Sequence, residues 1–483
     1  MNKTFYTKTK LFWIVFIFLL TLKTHRTHIG QGDEPHYIIM AESLYLDRDI
    51  DVTNNYHSPY LLTVKEKDWH TFKYKPGKNP PVHPVGMPLL GVPIYALAHG
   101  IIKAGMALGR FKEQDERWIF IKNTFSISMM ATLSFFSLFL FSIFKKATGS
   151  HKFGWRLALI FSLSPPLMSY GLVFFTDLPS AVIITFLFWS LINDKKLSWG
   201  KAFWIGYLPL LHPRNGLLAG AFLLLFLFNE IYPARKNWRA IPWLPIGFLS
   251  GMTVLLWGGA LLYNYLLWEN ISLAGFYPYL GIKTFYWKCL PEAVPALFFD
   301  RSFGIFWINI LTIFSVGGFL IFWRENRRES VYTGLILLLY LAGLSNFKFW
   351  SGGWAPPGRY MVPVTPILCF LSGIMIHRLW SQKTWKWIFS ILFIWTGICS
   401  ALYWQAPQLI WNYDVNRFLN YWFGPVERIF QDFKPDFFLS FPTPQIMAAF
   451  YLVIVLLINC LGYKDYRKSF NKKSQRHSRS TSG

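Results

Sequence analysis

Residues 117–144, RWIFIKNTFSISMMATLSFFSLFLFSIF, form an apolar and aromatic run broken by only two charges, Arg117 and Lys122. A helix of about 20 such residues crosses the roughly 30 Å hydrocarbon core of a bilayer, so the run is long enough to span. KKATGSHKFGWR follows at once, with Lys145, Lys146, Lys152 and Arg156. An apolar run that ends in a basic loop reads as a membrane helix whose far end faces the cytoplasm.

The same pattern repeats along the 483 residues. Twelve apolar runs stand out, at about 9–25, 117–144, 155–175, 178–193, 201–212, 215–231, 240–266, 304–323, 331–345, 360–377, 386–403 and 445–462. The chain is 53% hydrophobic and 15% charged, whereas an average soluble domain carries about 25% charged residues. A soluble enzyme, a disordered chain and a small secreted module are excluded. Cys289, Cys369, Cys399 and Cys460 are scattered, with neither a disulfide framework nor zinc-ligand spacing. The expected fold is all-α: a polytopic membrane protein of about 12 spans (11–13).

The net charge of +24 does not point to nucleic acid, because the basic residues cluster between apolar runs instead of coating a soluble face. With the N-terminus inside, the basic groups Lys3–Lys10, Lys145–Arg156, Lys195–Lys201, Arg235–Arg239, Arg324–Arg328, Arg378–Lys386 and the tail from Lys464 all face the cytoplasm. That holds only if a thirteenth run, 85–108, does not cross, so it is expected to be an interfacial or re-entrant helix. The first run is followed by KTHRTH and by no small-residue cleavage site, and is expected to be a retained helix. Residues 1–462 then form one transmembrane domain with outside loops at 26–116, 267–303 and 404–444. Residues 463–483 form a basic cytoplasmic tail, expected to be disordered.

The outside loops hold the unusual polar residues. GDEPHY places Asp33, Glu34 and His36 just after the first helix. A carboxylate there could act as a general base or simply be solvated. Asp47, Asp49 and Asp51 in DRDIDVTNNY lack the glycine and terminal glutamate of a calcium loop, and turn capping suits them better. His83 in NPPVHPVG could bind a phosphate or hydroxyl, or cap its turn. Asp177 in FFTDLPSA is placed either to cap a helix or to face the outer surface. Arg214 in LHPRNG interrupts an apolar hairpin, a costly position unless it lines a cavity or meets an anion. Arg301 precedes another apolar run. FKFWSGGWAPPGRYMVP is the most unusual string, with Lys348, Trp354, Arg359 and Tyr360 around three glycines and two prolines. Arginines for phosphate, indoles for stacking and glycines for close backbone approach suit a phosphorylated sugar at a membrane surface. Interfacial anchoring is the alternative for Trp and Arg.

In their order, GDEPHY, HPVGMPLL, FFTDLPSA and WSGGWAPPGRY resemble the GT-C superfamily of membrane glycosyltransferases, over most of residues 10–380. The similarity is to the bacterial branch akin to protein O-mannosyltransferases and the lipid A aminoarabinose transferase. The resemblance implies an inner-membrane enzyme that moves a sugar from a polyprenyl-phosphate carrier to an extracytoplasmic lipid, glycan or protein, with inversion. It also implies that Asp33 is the catalytic carboxylate, with Glu34 or His36 orienting it, and Asp177 a second acid. The leaving phosphate would fall to Arg359, Lys348, Arg301 and Arg214, with His83 near sugar or phosphate. No metal cluster is evident in the sequence, so no cofactor is expected. A transporter or flippase of lipid-linked glycans is the competing reading, with the same basic pocket and no base.

Overall fold

The computed structural model describes residues 3–25, 32–61, 80–237, 239, 241–273, 275, 290–345, 350–353, 355–406, 409, 417–418, 420–422, 424 and 443–480. Within them the fold is helical. The order is α1 (Lys3–His25), α2 (Glu34–Leu46), α3 (Gly86–Ala107), α4 (Gln114–Thr148), α5 (His151–Ser162), α6 (Leu167–Tyr170), α7 (Asp177–Asn193) and α8 (Trp199–Leu211). There follow α9 (Gly216–Ala234), α10 (Trp243–Trp268), α11 (Leu290–Phe299), α12 (Ile305–Ile308), α13 (Ser315–Glu325), α14 (Arg327–Ser345), α15 (Thr365–Leu379), α16 (Lys383–Gln405) and α17 (Thr443–Ser480).

Among the described residues, seven helical stretches are long and apolar enough to cross a membrane: Gly86–Ala107, Gln114–Thr148, Pro213–Pro233, Trp243–Trp268, Arg359–Leu379, Lys383–Gln405 and Pro444–Asn471. Two of the twelve apolar runs are interrupted by non-helical backbone. Run 155–175 breaks where α5 gives way to Pro165 and Pro166, neither of which has an amide hydrogen to continue the ladder. Run 304–323 breaks at Asn309 into α12, the 3₁₀ turn Ile310–Phe314 and α13. The two breaks meet, since Asn309 Nδ2 donates to Pro165 O at 3.1 Å. Hydropathy counts apolar side chains and passes over such backbone breaks.

The buried centre is α15, wrapped by α4, α5, α7, α13 and α17. In this span from Arg359 to Leu379, 94% of the most apolar window is buried, against 22% for Trp243–Trp268. The first is therefore a core element and the second turns its leucines outward. α4, with 35 residues, is about 52 Å long. Its first turns are clasped by other parts of the chain: Gln114 Nε2 donates to Ser58 O at 2.9 Å and Arg117 Nη1 to Pro59 O at 2.9 Å. α3 packs beside this part of α4 and against α2. α17 carries its helical path to Ser480, through the basic segment expected to be disordered.

Polar contacts close one end of the bundle. Lys195 Nζ meets Glu329 at 2.7 Å, joining the end of α7 to the start of α14. Arg378 at the end of α15 grips Glu325 at the end of α13 through Nε at 2.9 Å and Nη2 at 2.7 Å. The basic clusters lie at this end.

Candidate active site

The opposite end, where α7, α9 and α15 begin and α8 finishes, gathers four charged side chains. Asp33 is the N-cap of α2, yet its side chain makes no capping bond. Gly32 at φ +60° turns the chain into it, and the carboxylate reaches instead to Arg359, whose Nη2 donates to Oδ2. Arg359 opens the 3₁₀ turn Arg359–Val364 leading into α15. It also donates from Nη1 to Gly352 O at 3.0 Å. Gly352 sits at φ +84°, and a Cβ there would lie 3.0 Å from Cβ and Cδ of Arg359. Glycine is needed at that position both for the backbone and for the space.

Asp177, fully buried, starts α7. Its Oδ1 accepts from Arg214 Nη2, and its Oδ2 lies 3.5 Å from Arg359 Nε. That second contact is a charge contact without hydrogen-bond geometry. Arg214 stands on the 3₁₀ turn Pro213–Asn215 between α8 and α9. Two carboxylates and two guanidiniums thus form one alternating, self-neutralised group, which is the condition under which burying charges is tolerable. Aromatic faces hold the guanidiniums in place: Arg214 lies 4.7 Å over Tyr360, and Arg359 lies 4.8 Å over Phe175. Tyr340 Oη fixes the Tyr360 backbone through a 2.6 Å bond to its carbonyl, and Tyr170 Oη binds Pro356 O at 2.9 Å.

The neighbours of Asp33 divide by role. Glu34 is buried, and its Oε1 accepts from Phe174 N at 2.9 Å, so it stitches the start of α2 to the segment before Asp177. That bond suits a positioning part better than a reacting one. His36 Nδ1 lies 2.8 Å from Tyr56 Oη. The His36 and His83 rings stack with centroids 5.8 Å apart, and Tyr37 lies 4.8 Å from His83. These side chains form a second tier beside the charged group. Farther along α2, Glu42 is fully buried and accepts from Ser58 Oγ at 2.5 Å and Tyr95 Oη at 2.7 Å. Burial pushes its carboxyl up to about 7.

Sequence reading singled out Asp33, Asp177, Arg214, Arg359 and Tyr360, and the structure brings these five together. Arg301 lies in the turn after α11, beside Asp300, whose Oδ1 accepts from Ser302 N and Phe303 N, both at 2.9 Å. The described bonds do not connect it to the group. Lys348 and Trp354 lie outside the described residues. Tyr170, Phe175, His212 and Tyr340 contribute to the site without having been singled out, whereas Gly352 is one of the three glycines read as allowing close backbone approach. Of the four, His212 and Phe175 carried a signal, as neighbours of Arg214 in LHPRNG and of Asp177 in FFTDLPSA. Among the described residues no three His, Cys, Asp or Glu side chains cluster in a way that would hold a metal ion.

The architecture and site define a helical, membrane-type bundle with a charged group buried at one end. No family model, curated protein or solved structure matches the chain.

Proposed function

We propose that the chain is a polytopic inner-membrane glycosyltransferase of GT-C type, with about 12 spans, and that it uses a polyprenyl-phosphate sugar donor. Both termini lie in the cytoplasm, and the charged group lies at the outer surface. The observation that carries this reading is the convergence of Asp33, Asp177, Arg214 and Arg359 from four distant segments, with donors to spare. Arg214 Nε and Nη1 and Arg359 Nε have no hydrogen-bond partner among the described residues. Unsatisfied guanidinium donors in a buried site suit a phosphate, and a membrane-embedded bundle suits a phosphate on a lipid.

The resting ion pair gives the mechanism its order. While Asp33 is held by Arg359, the carboxylate is a poor base, because a nearby cation favours its ionised form. An arriving donor phosphate offers Arg359 and Arg214 a second anion and draws Arg359 off Asp33. Asp33 then accepts the proton from the acceptor hydroxyl as that oxygen bonds to C1 of the sugar. The C1–O bond to phosphate breaks, and the phosphate leaves with the electron pair under the two guanidiniums. In-line displacement of this kind inverts C1. The acceptor is a lipid, glycan or protein on the outer side.

Asp33→Asn tests the assignment in nanodiscs, with labelled farnesyl-phosphoryl hexoses and pentoses as donors and membrane extract as acceptor. Transfer is expected to fall at least 100-fold while farnesyl phosphate binding persists. Transfer at the wild-type rate would remove Asp33 as the base. Passage of labelled donor across sealed vesicles, with transfer to nothing, would favour the flippase reading, which the same arginines can serve.

A further inference from the structure

We infer that His212 reads the sugar of the donor, a deduction that rests on the functional reading above. The residue ends α8 and caps the next turn: its Nδ1 accepts from the backbone N–H of Arg214 at 3.2 Å. A backbone amide can only donate, so Nδ1 carries no proton. The ring is therefore the neutral tautomer with hydrogen on Nε2. That Nε2–H has no hydrogen-bond partner among the described residues. The residue is 8% exposed, and its ring feels the charges of Arg214, Arg359 and Asp33 and the presence of His83.

The site thus presents a neutral donor, its ring fixed by the cap on Arg214 and within the field of Arg359 and Asp33. The guanidiniums already supply charged donors for phosphate. A neutral N–H at the edge of the same group is suited to a hydroxyl or ring oxygen of the sugar that the phosphate carries. A polar group built to bond a hydroxyl discriminates strongly when that hydroxyl is missing or misplaced, because it is then left unpaired. His212 is accordingly a specificity-determining contact, and the backbone cap through Nδ1 holds it in register with Arg214.

Two substitutions separate its two nitrogens. In His212→Asn, the side-chain oxygen takes the place of Nδ1 and keeps the cap as an Asx turn, but nothing reaches the position of Nε2. In His212→Gln, the amide nitrogen reaches that position and the cap is lost. The measurement is the affinity of the full-length protein in nanodiscs for farnesyl phosphate and for a panel of farnesyl-phosphoryl hexoses and pentoses. Wild type is expected to bind at least one phosphosugar more tightly than farnesyl phosphate. His212→Asn should bind farnesyl phosphate as wild type does and lose at least fivefold for that phosphosugar, with KM rising more than kcat falls. His212→Gln should keep most of the preference even if its thermal stability drops. The inference is overturned if wild type shows no preference for any phosphosugar. It is equally overturned if His212→Asn retains the preference, if it weakens both ligands alike, or if folded His212→Gln has lost the preference. Failure of wild type to bind farnesyl phosphate at all would instead remove the functional reading on which the inference stands.

Discussion

Arg359 faces three partners at once: it donates to Asp33 and to Gly352 O, and lies in charge contact with Asp177. Its removal takes away the guanidinium between the two carboxylates and leaves Arg214 paired with Asp177 alone, and breaking a buried pair in this way costs about 3–5 kcal/mol. Arg359→Met is expected to destabilise the protein by that order in thermal unfolding in detergent. Arg359→Lys should recover only part of the loss, because one ammonium cannot cover three directions. Unchanged stability of Arg359→Met would show that the four charges do not act as a unit. The arginines and acids of this group were legible in the sequence because charge is rare and costly in apolar surroundings. Glu34 was visible for the same reason, yet its bond to Phe174 N gives it a positioning part that scarcity alone cannot distinguish from catalysis. Tyr170, Tyr340 and His212 were not singled out, since tyrosine and histidine are ordinary at membrane interfaces and nothing in their spacing shows where their polar atoms point.

At the level of elements, α2 joins the charged site to a buried carboxyl farther along. Glu42 holds α2 to Ser58 and to Tyr95 of α3, with Tyr45, Asp47, Asn55, Tyr60 and His99 also nearby. An unfolded glutamate ionises near 4.5, and this one, folded, near 7. Between those values the unfolded chain gives up a proton that the folded chain keeps. Stability from this group is thus complete below about 4.5, declines as pH rises to about 7 and is level above. Glu42→Gln still accepts both bonds and should flatten that decline in unfolding midpoints between pH 5 and 8; an unchanged pH profile would count against the burial of an uncompensated acid. A second element, the loop around Gly352, has its own test. Gly352→Ala forces a positive φ on a residue with a Cβ and crowds Arg359. Destabilisation of about 1–3 kcal/mol is expected, and wild-type stability would contradict it. Helix existence was legible from apolar length, whereas the breaks at Pro165–Pro166 and Asn309 were not read. One bond, from Asn309 Nδ2 to Pro165 O, ties the two breaks together across 144 residues of chain, a pairing that no local window contains.

Across the whole molecule, the charged site and the basic clusters occupy opposite ends, so one labelling experiment orients everything. In a background without the four native cysteines, Arg110→Cys lies beside the start of α4 and Lys196→Cys follows the end of α7; both positions are exposed. In intact spheroplasts, a membrane-impermeant maleimide should modify the first, and should modify the second only after permeabilisation. The reverse result would turn the protein over and place its site inside. The Asp33–Arg359 pair also sets a timetable for biogenesis. Its partners lie 326 residues apart, whereas Asp177 and Arg214 are separated by 37. At roughly 5–20 residues per second of synthesis, Asp33 is made on the order of 15 to 65 s before Arg359. A nascent chain thus inserts most of its helices without a closed site. Any product truncated before Arg359 carries the acid but never its counterion, so synthesis past Arg359 is the step that supplies the last charge of the site.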